Sequence, residues 1–131
     1  MLDGRVPRAP MSQTLGFFLI EVDTGRAVFQ GEPEHAYYNP IGSVHGGWTS
    51  TLLDSCMGCA VHSTLPAGQG YITVDIKVNL LRPLSHATGP GRAVGTLIHA
   101  GRTLALAEGK LVGPDGRLYA HGTSSCLVFP L

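Results

Sequence analysis

The sequence predicts an α+β domain in which one long helix lies beside an antiparallel sheet. Residues 48–63 contain no proline and have helical periodicity, whereas residues 71–81 alternate between apolar and polar side chains, as a half-buried strand does. Three more strand-like runs follow, at 91–100, 103–112 and 117–128. The order is therefore two strands, one helix and four strands.

The elements before the helix follow from turn residues. Asp23-Thr24-Gly25-Arg26 divides two apolar stretches within residues 15–30 and predicts a hairpin. Residues 31–44 contain two prolines and two glycines and predict a loop. Because 131 residues support one domain, we expect a flexible N-terminal arm over residues 1–13 and a single domain over 14–131.

The strands after the helix are also separated by turns, at residues 100–102 and 113–116. In the strand at 71–81, the apolar residues occupy the even positions from Ile72 to Leu80. Polar residues, Thr73 among them, occupy the odd positions. Alternation in a regular strand predicts that these two sets face opposite sides of the sheet.

Composition excludes several functional classes. Hydrophobic residues make up 44% and charged residues 14%, which excludes a disordered chain. Lys+Arg and Asp+Glu balance at 9 each, so no basic field favours nucleic acid or an anionic membrane. No apolar run reaches the ~18–20 residues of a membrane span, and no secretory signal is expected. So few charged residues indicate that other copies of the same chain cover part of its surface. We therefore expect a cytoplasmic homo-oligomer.

The predicted helix is unusual around its circumference. Apolar residues cover more than half of it, and the remaining arc contains small or short side chains without Lys, Arg or Glu. We therefore expect the helix to be buried on nearly every side, in part by a second subunit. Cys56-x-x-Cys59, with His62 beyond it, has redox or zinc spacing. Residues three apart share one helix face, and this favours packing cysteines over a metal site.

Asp54 is the candidate catalytic residue of the helix. Aspartate is unfavourable in a helix interior, and its sequence neighbours Leu52, Leu53, Cys56 and Met57 are apolar. A carboxylate in such a place suits a general base or a nucleophile. The alternative is a structural carboxylate, either paired with Arg82 or Arg92 or hydrogen-bonded to a neighbouring threonine.

The start of the helix offers the second half of a site. His45-Gly46-Gly47 leads into Trp48, and free N–H groups at a helix N-terminus stabilise developing negative charge, as an oxyanion hole requires. The alternative is a glycine-rich entry to a buried helix where nothing larger fits. Asp54 follows Gly46 by eight residues, on the order of 12 Å along a helix. A site that uses both would be shared between subunits across a two-fold axis.

Residues 39–54, NPIGSVHGGWTSTLLD, resemble the motif of the hotdog-fold acyl-CoA thioesterases, in the branch named after the phenylacetate-pathway thioesterase. Thr73-Val74-Asp75, Arg82-Pro83 and Gly101-Arg102-Thr103 follow in family order, so the resemblance covers roughly residues 15–128. It implies a long helix wrapped by a curved antiparallel sheet. It also implies dimers that share one continuous sheet and often assemble as tetramers, so at least a dimer is expected.

The resemblance implies hydrolysis of an aryl-, medium- or long-chain acyl-CoA without metal or cofactor, coenzyme A being part of the substrate. Asp54 would act as nucleophile or as base for water, assisted by Thr73. The Gly46 N–H would polarise the thioester carbonyl, and Asn39 would help to place the thioester or the water. Asn39 and Gly46 would come from one subunit, and Asp54 and Thr73 from its partner. His45 would shape the turn or transfer protons.

Substrate contacts are expected from further residues. Coenzyme A carries phosphates, which favour cationic side chains along its route. The candidates for substrate and coenzyme A binding are Arg102, Arg82, Lys77, Gly47 and Trp48. Trp48 and Tyr71 are also the candidates for lining an acyl pocket.

Two rival functions stay open. One is a hotdog hydratase or dehydratase, although the chain lacks the His-Phe-Pro-Gly-type segment of those enzymes. The other is a non-catalytic acyl-CoA-binding module.

Overall fold

The computed structural model describes residues 8–131, which form two α-helices, a short 3₁₀ helix and six strands. In chain order they are α1 (Pro10–Leu15), β1 (Phe17–Asp23), β2 (Arg26–Gly31), the 3₁₀ helix His35–Tyr37, α2 (Gly46–His62), β3 (Gln69–Leu80), β4 (Gly91–Ala100), β5 (Leu104–Val112) and β6 (Leu118–Pro130). The long helix and all six strands of the sequence prediction are confirmed.

The predicted N-terminal arm is wrong for residues 10–13, which lie in α1. Pro10 occupies the first turn of this helix, where its missing N–H costs nothing. Gly16 ends it in the left-handed conformation, with φ of 67°. The rest of that arm prediction falls on residues 1–9, of which 1–7 lie outside the described residues.

The six strands form one antiparallel sheet in the order β1-β2-β4-β5-β6-β3. The sheet curves around α2, which packs against its concave face. β1 and β3 are the two edge strands. β3 follows α2 in the chain, so the edge that carries Thr73 lies directly beside the helix that carries Asp54.

Three glycines let the sheet approach the helix closely. Gly95, Gly109 and Gly122 are cross-strand neighbours on β4, β5 and β6, and together they form what we call the glycine row. A Cβ on Gly95 would lie 2.1 Å from the Cys56 carbonyl oxygen, a backbone atom of α2. A side chain larger than hydrogen at Gly95 therefore cannot be accommodated without moving the helix or the strand.

The expectation that α2 is largely buried is confirmed, whereas the part of that burial assigned to a second subunit stays a prediction. Leu52, Leu53, Cys56, Met57 and Val61 are fully buried against the sheet. Of the helix residues, only Gly47 and His62 are exposed, and Thr51, Asp54 and Ser55 on the arc without Lys, Arg or Glu are half-buried already in the single chain. Within residues 8–131, no helix has the length and hydropathy needed to cross a bilayer.

The expectation for β3 is wrong in one respect. The strand exists, but its apolar row is not buried by its own chain: Ile72 and Val74 are each 55% exposed and Leu80 is 57% exposed. One reason is the edge position, which leaves one flank of the strand uncovered. The other is a β-bulge between Thr73 and Asp75, which breaks the alternation.

Candidate active site

The Asp54 carboxylate is held by a hydroxyl from the sheet. Thr73 Oγ1 donates a hydrogen bond of 2.9 Å to Asp54 Oδ1, and both residues are half-buried. Of the two structural alternatives for Asp54, the threonine bond is the one present. Among residues 8–131, neither Arg82 nor Arg92 pairs with Asp54, and Arg92 pairs with Glu21 on β1. The bond fixes one carboxylate oxygen and leaves Oδ2 without a protein donor among residues 8–131.

The bulge explains how Thr73 reaches the helix. Before the bulge, Thr73 pairs with the buried Cys126; after it, Ile76 pairs with the buried Ser124. The residues that face α2 therefore change from odd to even positions along β3. The Asp75 carboxylate stabilises this irregularity, because its Oδ1 accepts a hydrogen bond of 3.0 Å from the Ser125 N–H. The expectation that Thr73 lies on the face opposite the apolar row applies to a regular strand and fails here.

Neutral groups surround the Asp54–Thr73 pair. Burial raises the pKa of the Tyr71 phenol to about 12, and Cys59, Cys126 and Asp54 add to the shift. Burial also raises the pKa of the Cys126 thiol beside Thr73. At neutral pH the Tyr71 phenol and the Cys126 thiol carry no charge, and the other ionisable groups near them are Asp54, Asp75 and His62. No pattern in the sequence distinguishes Cys126, which is one small residue among several on an alternating strand.

The helix N-terminus is capped by His45. Its Nδ1 accepts a hydrogen bond of 2.8 Å from the Gly47 N–H, which supports the turn-shaping role for this histidine. This bond requires Nδ1 to be unprotonated. Among residues 8–131, the Gly46 N–H has no acceptor. A Cβ at this position would lie 2.6 Å from Leu80 Cδ1, so the exposed Leu80 side chain would have to move to make room for it.

Gly46, Asn39 and Arg82 line one cleft of about 230 Å³. Asn39 also shapes the loop before the helix, since its Oδ1 accepts hydrogen bonds from the N–H groups of Ile41 and Ser43. Its Nδ2 donates to Ser43 Oγ at 3.1 Å. One amide hydrogen of Asn39 is thus left for a ligand beside the free Gly46 N–H.

The two halves of the predicted site do not meet in the single chain. Asp54 and Thr73 do not line the cleft that contains Gly46 and Asn39. Eight residues of helix separate Gly46 from Asp54, roughly 12 Å at 1.5 Å per residue. The structure therefore contains two partial sites at separate levels of α2.

The remaining predicted binding residues are dispersed. Trp48 is 3% exposed, donates its indole N–H to the Leu15 carbonyl at 2.9 Å and stacks on Tyr37, so it is a core residue of the single chain. Lys77 is exposed on the sheet face away from α2, opposite Thr123. Arg102 is exposed in the β4–β5 turn, and Gly47 is exposed at the helix start.

The cysteines of α2 behave as packing residues. Cys56 is fully buried and its thiol contacts the Leu53 carbonyl oxygen at 3.2 Å. Burial raises the pKa of both thiols, that of Cys59 to about 11. Within the described part of the chain, no three His, Cys, Asp or Glu side chains are grouped as ligands for a metal ion.

Comparison with known proteins finds a family model that matches more than half of the chain. The model of the family described as the thioesterase superfamily matches residues 41–120, which include Gly46, Asp54 and Thr73. A candidate esterase of Halobacterium salinarum is 39% identical over 84 residues, covering 63% of this chain but only 54% of its own length. Human acyl-coenzyme A thioesterase 13 is 28% identical over 108 residues, which cover 79% of this chain and 74% of its own.

A solved structure from Ralstonia eutropha extends the likeness to nearly the whole chain. That protein is described as a candidate thioesterase related to phenylacetic acid degradation. It superposes with a TM-score of 0.87 at 30% identity, and the match covers 96% of this chain and 95% of that one.

Proposed function

The chain belongs to the thioesterase superfamily, and from this premise we propose that it hydrolyses the thioester of an acyl-coenzyme A to the free acid and coenzyme A. The observation that carries the proposal is a half-buried helix carboxylate that Thr73 orients at Oδ1 while its Oδ2 has no protein donor among residues 8–131. The name of the human relative, an acyl-coenzyme A thioesterase, supports coenzyme A as the thiol.

Asp54 can perform the reaction by either of two balanced routes. As a general base, Oδ2 takes a proton from water while the water oxygen bonds to the carbonyl carbon. The C–S bond then breaks, and the leaving thiolate regains the proton. As a nucleophile, Oδ2 itself bonds to the carbonyl carbon and expels the thiolate, and water then hydrolyses the anhydride. Both routes need an ionised Asp54, and neither uses a metal or a cofactor.

The Gly46 N–H is the proposed donor to the carbonyl oxygen. It lies at the positive end of the α2 dipole and has no acceptor among residues 8–131. In the tetrahedral intermediate this oxygen carries a negative charge, and a preoriented N–H stabilises it without reorganisation. Asn39 lines the same cleft and retains one amide hydrogen, so it is the second proposed donor. Arg82, at the same cleft, is the proposed contact for a coenzyme A phosphate.

A dimer would bring the two partial sites together. β3 is an unpaired edge with exposed apolar residues along it, as expected of a strand that pairs with a second copy. A two-fold axis at this edge makes the two α2 helices antiparallel. Asp54 and Thr73 of one protomer would then approach Gly46 and Asn39 of its partner, which removes the 12 Å separation.

The test is thiol release from a panel of acyl-CoA esters with acetyl, benzoyl, phenylacetyl and six- to sixteen-carbon acyl groups. Wild type and Asp54→Asn are compared, with circular dichroism as the folding control. We expect release by the wild type and a loss of at least about 100-fold in Asp54→Asn. Saturable binding without release from any ester would refute the proposal and favour the non-catalytic binding module instead.

A further inference from the structure

The hydroxyl of Tyr71 contacts α2 one helical turn beyond Asp54. Its oxygen lies where a side chain on Gly58 would begin, since a Cβ added there would be 2.8 Å from Tyr71 Oη. Residues four apart in a helix are neighbours on one face, with Cβ atoms about 5–6 Å from each other. The Tyr71 hydroxyl therefore takes the place of a side chain directly beside that of Asp54.

β3 brings Tyr71 and Thr73 to the helix together. The two residues lie before the bulge on the same face of the strand, opposite the buried Val128 and Cys126 of β6. Thr73 bonds to Asp54, and Tyr71 packs over Gly58. Two successive contacts thus join β3 to one face of α2, which has the carboxylate and the phenol hydroxyl side by side.

The charge relation between the two groups agrees with this placement. Burial raises the pKa of the Tyr71 phenol to about 12, and the Asp54 carboxylate adds to the rise after the thiols of Cys59 and Cys126. At neutral pH the phenol therefore keeps its proton. A neutral hydroxyl can both donate and accept hydrogen bonds beside a carboxylate.

The free oxygens of the two side chains are open to solvent. Within residues 8–131, neither Tyr71 Oη nor Asp54 Oδ2 has a hydrogen-bond partner. In the same residues no side-chain oxygen is at once buried and unpaired, so water reaches both of these oxygens. One water with two hydrogen bonds of about 2.8 Å joins groups about 4.5–5 Å apart. That distance is close to the spacing of neighbouring side chains on the helix face.

We propose that Tyr71 is a further catalytic residue, whose hydroxyl holds the hydrolytic water together with Asp54 Oδ2. The inference rests on the proposed function and deepens it. The water donates one hydrogen to Oδ2 and the other to Tyr71 Oη, so a lone pair of its oxygen is left for the carbonyl carbon. As the C–O bond forms, the proton passes to Oδ2, and Tyr71 neither gains nor loses a proton. This water belongs to the general-base route, because an acylated Oδ2 could not hold it.

Gly58 is the counterpart of Tyr71 in α2. It is the one glycine of this helix beyond the first turn, and glycine weakens a helix interior relative to alanine. A methyl group here would overlap Tyr71 Oη at 2.8 Å and Cε2 at 2.9 Å. These atoms are the far end of a flexible side chain, so Gly58→Ala should displace the phenol from Asp54 and leave the backbone in place. Gly58→Ala and Tyr71→Phe therefore remove the same hydroxyl by different means.

The experiment measures kcat and KM by thiol release, with the ester of the panel that the wild type hydrolyses fastest. Tyr71→Phe and Gly58→Ala should each lower kcat by about 10- to 100-fold and leave KM within about twofold, because the water is misplaced while the ester still binds. The double variant should be no slower than Tyr71→Phe, since both changes act on one hydroxyl.

Tyr38→Phe is the matched control. It removes a phenol hydroxyl that bonds to His86 instead, and it should retain the kcat of the wild type. Circular dichroism and urea midpoints verify that each variant is folded. A rise in KM with unchanged kcat in Tyr71→Phe would assign the phenol to substrate binding and overturn the inference.

A crystal structure provides a readout that does not depend on turnover. In the wild type we expect a water within about 3.2 Å of both Tyr71 Oη and Asp54 Oδ2. The structure of Tyr71→Phe should lack it. A direct hydrogen bond between Tyr71 and Asp54, or two oxygens that share no water, would contradict the proposed role.

The two proposals fail in different ways. If Asp54→Asn abolishes thiol release and Tyr71→Phe stays within about threefold of the wild type, the role of Tyr71 is refuted and the proposed function stands. If the folded wild type releases thiol from no ester, the proposed function is refuted, and the role of Tyr71 with it.

Discussion

Thr73 donates a 2.9 Å hydrogen bond to Asp54 and so joins the edge strand β3 to the centre of α2. The two residues are 19 positions apart in the chain and belong to elements that are otherwise held together by apolar packing. A hydroxyl gives the carboxylate a fixed orientation without neutralising its charge. The bond thereby orients the carboxylate that both hydrolytic routes use.

Removing the Thr73 hydroxyl should lower turnover. A hydrogen bond to a charged group contributes about 1.5–3 kcal/mol, so Thr73→Val should reduce kcat by roughly 10- to 150-fold. Thr73→Ser retains the hydroxyl and should stay within about threefold of wild type. Steady-state thiol release with both variants provides the measurement. Equal activity of the Val and Ser variants would show that the bond has no catalytic role.

Substitutions at His45 should separate capping from proton transfer. The His45→Ala variant loses the N-cap acceptor and should lose about 1 kcal/mol of unfolding free energy. His45→Asn supplies another side-chain acceptor and should retain both stability and kcat. Urea denaturation and thiol release test this. A stable His45→Asn variant with kcat reduced more than about tenfold would instead assign proton transfer to the imidazole.

Mixing two inactive variants should restore activity if the site is shared. Asp54→Asn disables one partial site, and Gly46→Pro disables the other by removing the N–H proposed as donor at the first position of α2. After joint unfolding and refolding, half of the dimers are mixed, and each has one intact site. The mixture should recover about a quarter of wild-type activity. If each variant refolded alone is inactive and the mixture is inactive too, both halves belong to one chain.

Two glycines of the glycine row should differ in their tolerance of alanine. Gly95→Ala places a methyl group against the α2 backbone and should destabilise by about 3 kcal/mol or more. At Gly109 the nearest atoms, at 3.1–3.3 Å, belong to the side chains of Met57, Cys56 and Leu53. These can shift, so Gly109→Ala should cost about 1 kcal/mol. Chemical denaturation measures the loss of unfolding free energy in both variants. A larger loss in Gly109→Ala than in Gly95→Ala would contradict the close approach of the helix at Gly95.

Stability should fall in alkaline solution because of the Cys59 thiol. Its pKa rises from 9.0 in the unfolded chain to about 11 in the folded one, so the unfolded state loses its proton first. The contribution of the buried, protonated Cys59 thiol to the free energy of unfolding is fully present below pH 9 and decreases as the pH rises toward 11. Urea midpoints across this range should therefore decline less steeply in Cys59→Ala than in the wild type. Parallel declines would show that Cys59 is not buried as described.

The sequence predicts the position of the helix and its start well and the facing of β3 poorly, whereas the catalytic roles of these residues stay predictions. Asp54 and the His45–Gly46 start are recognisable because a helix arc without long charged residues is chemically unusual. Thr73 is assigned to the wrong face, since alternation assumes a regular strand and the bulge interrupts it. The carboxylate of Asp75, which bonds the Ser125 N–H, is the one local indication of that irregularity.

Two other differences between the sequence-based predictions and the structure also have physical reasons. Alternation identifies the residues of β3 that share a face, but it does not show whether the same chain covers that face. α1 escapes detection because a six-residue helix has too few turns for periodicity. Its end signals were nevertheless present, with proline at its start and glycine just beyond its end.

The glycine row also distinguishes the part of the fold that tolerates sequence changes from the part that does not. It fixes the height of α2 above β4, β5 and β6, and with it the position of Asp54. A cavity of about 280 Å³ lies on the flank of the helix that faces α1, β1 and β2. Mutations in α1, β1 and β2 that reshape this flank leave Gly95, Gly109 and Gly122 in place. A library restricted to these three elements should therefore vary the cavity while the height of α2 above β4, β5 and β6 is retained.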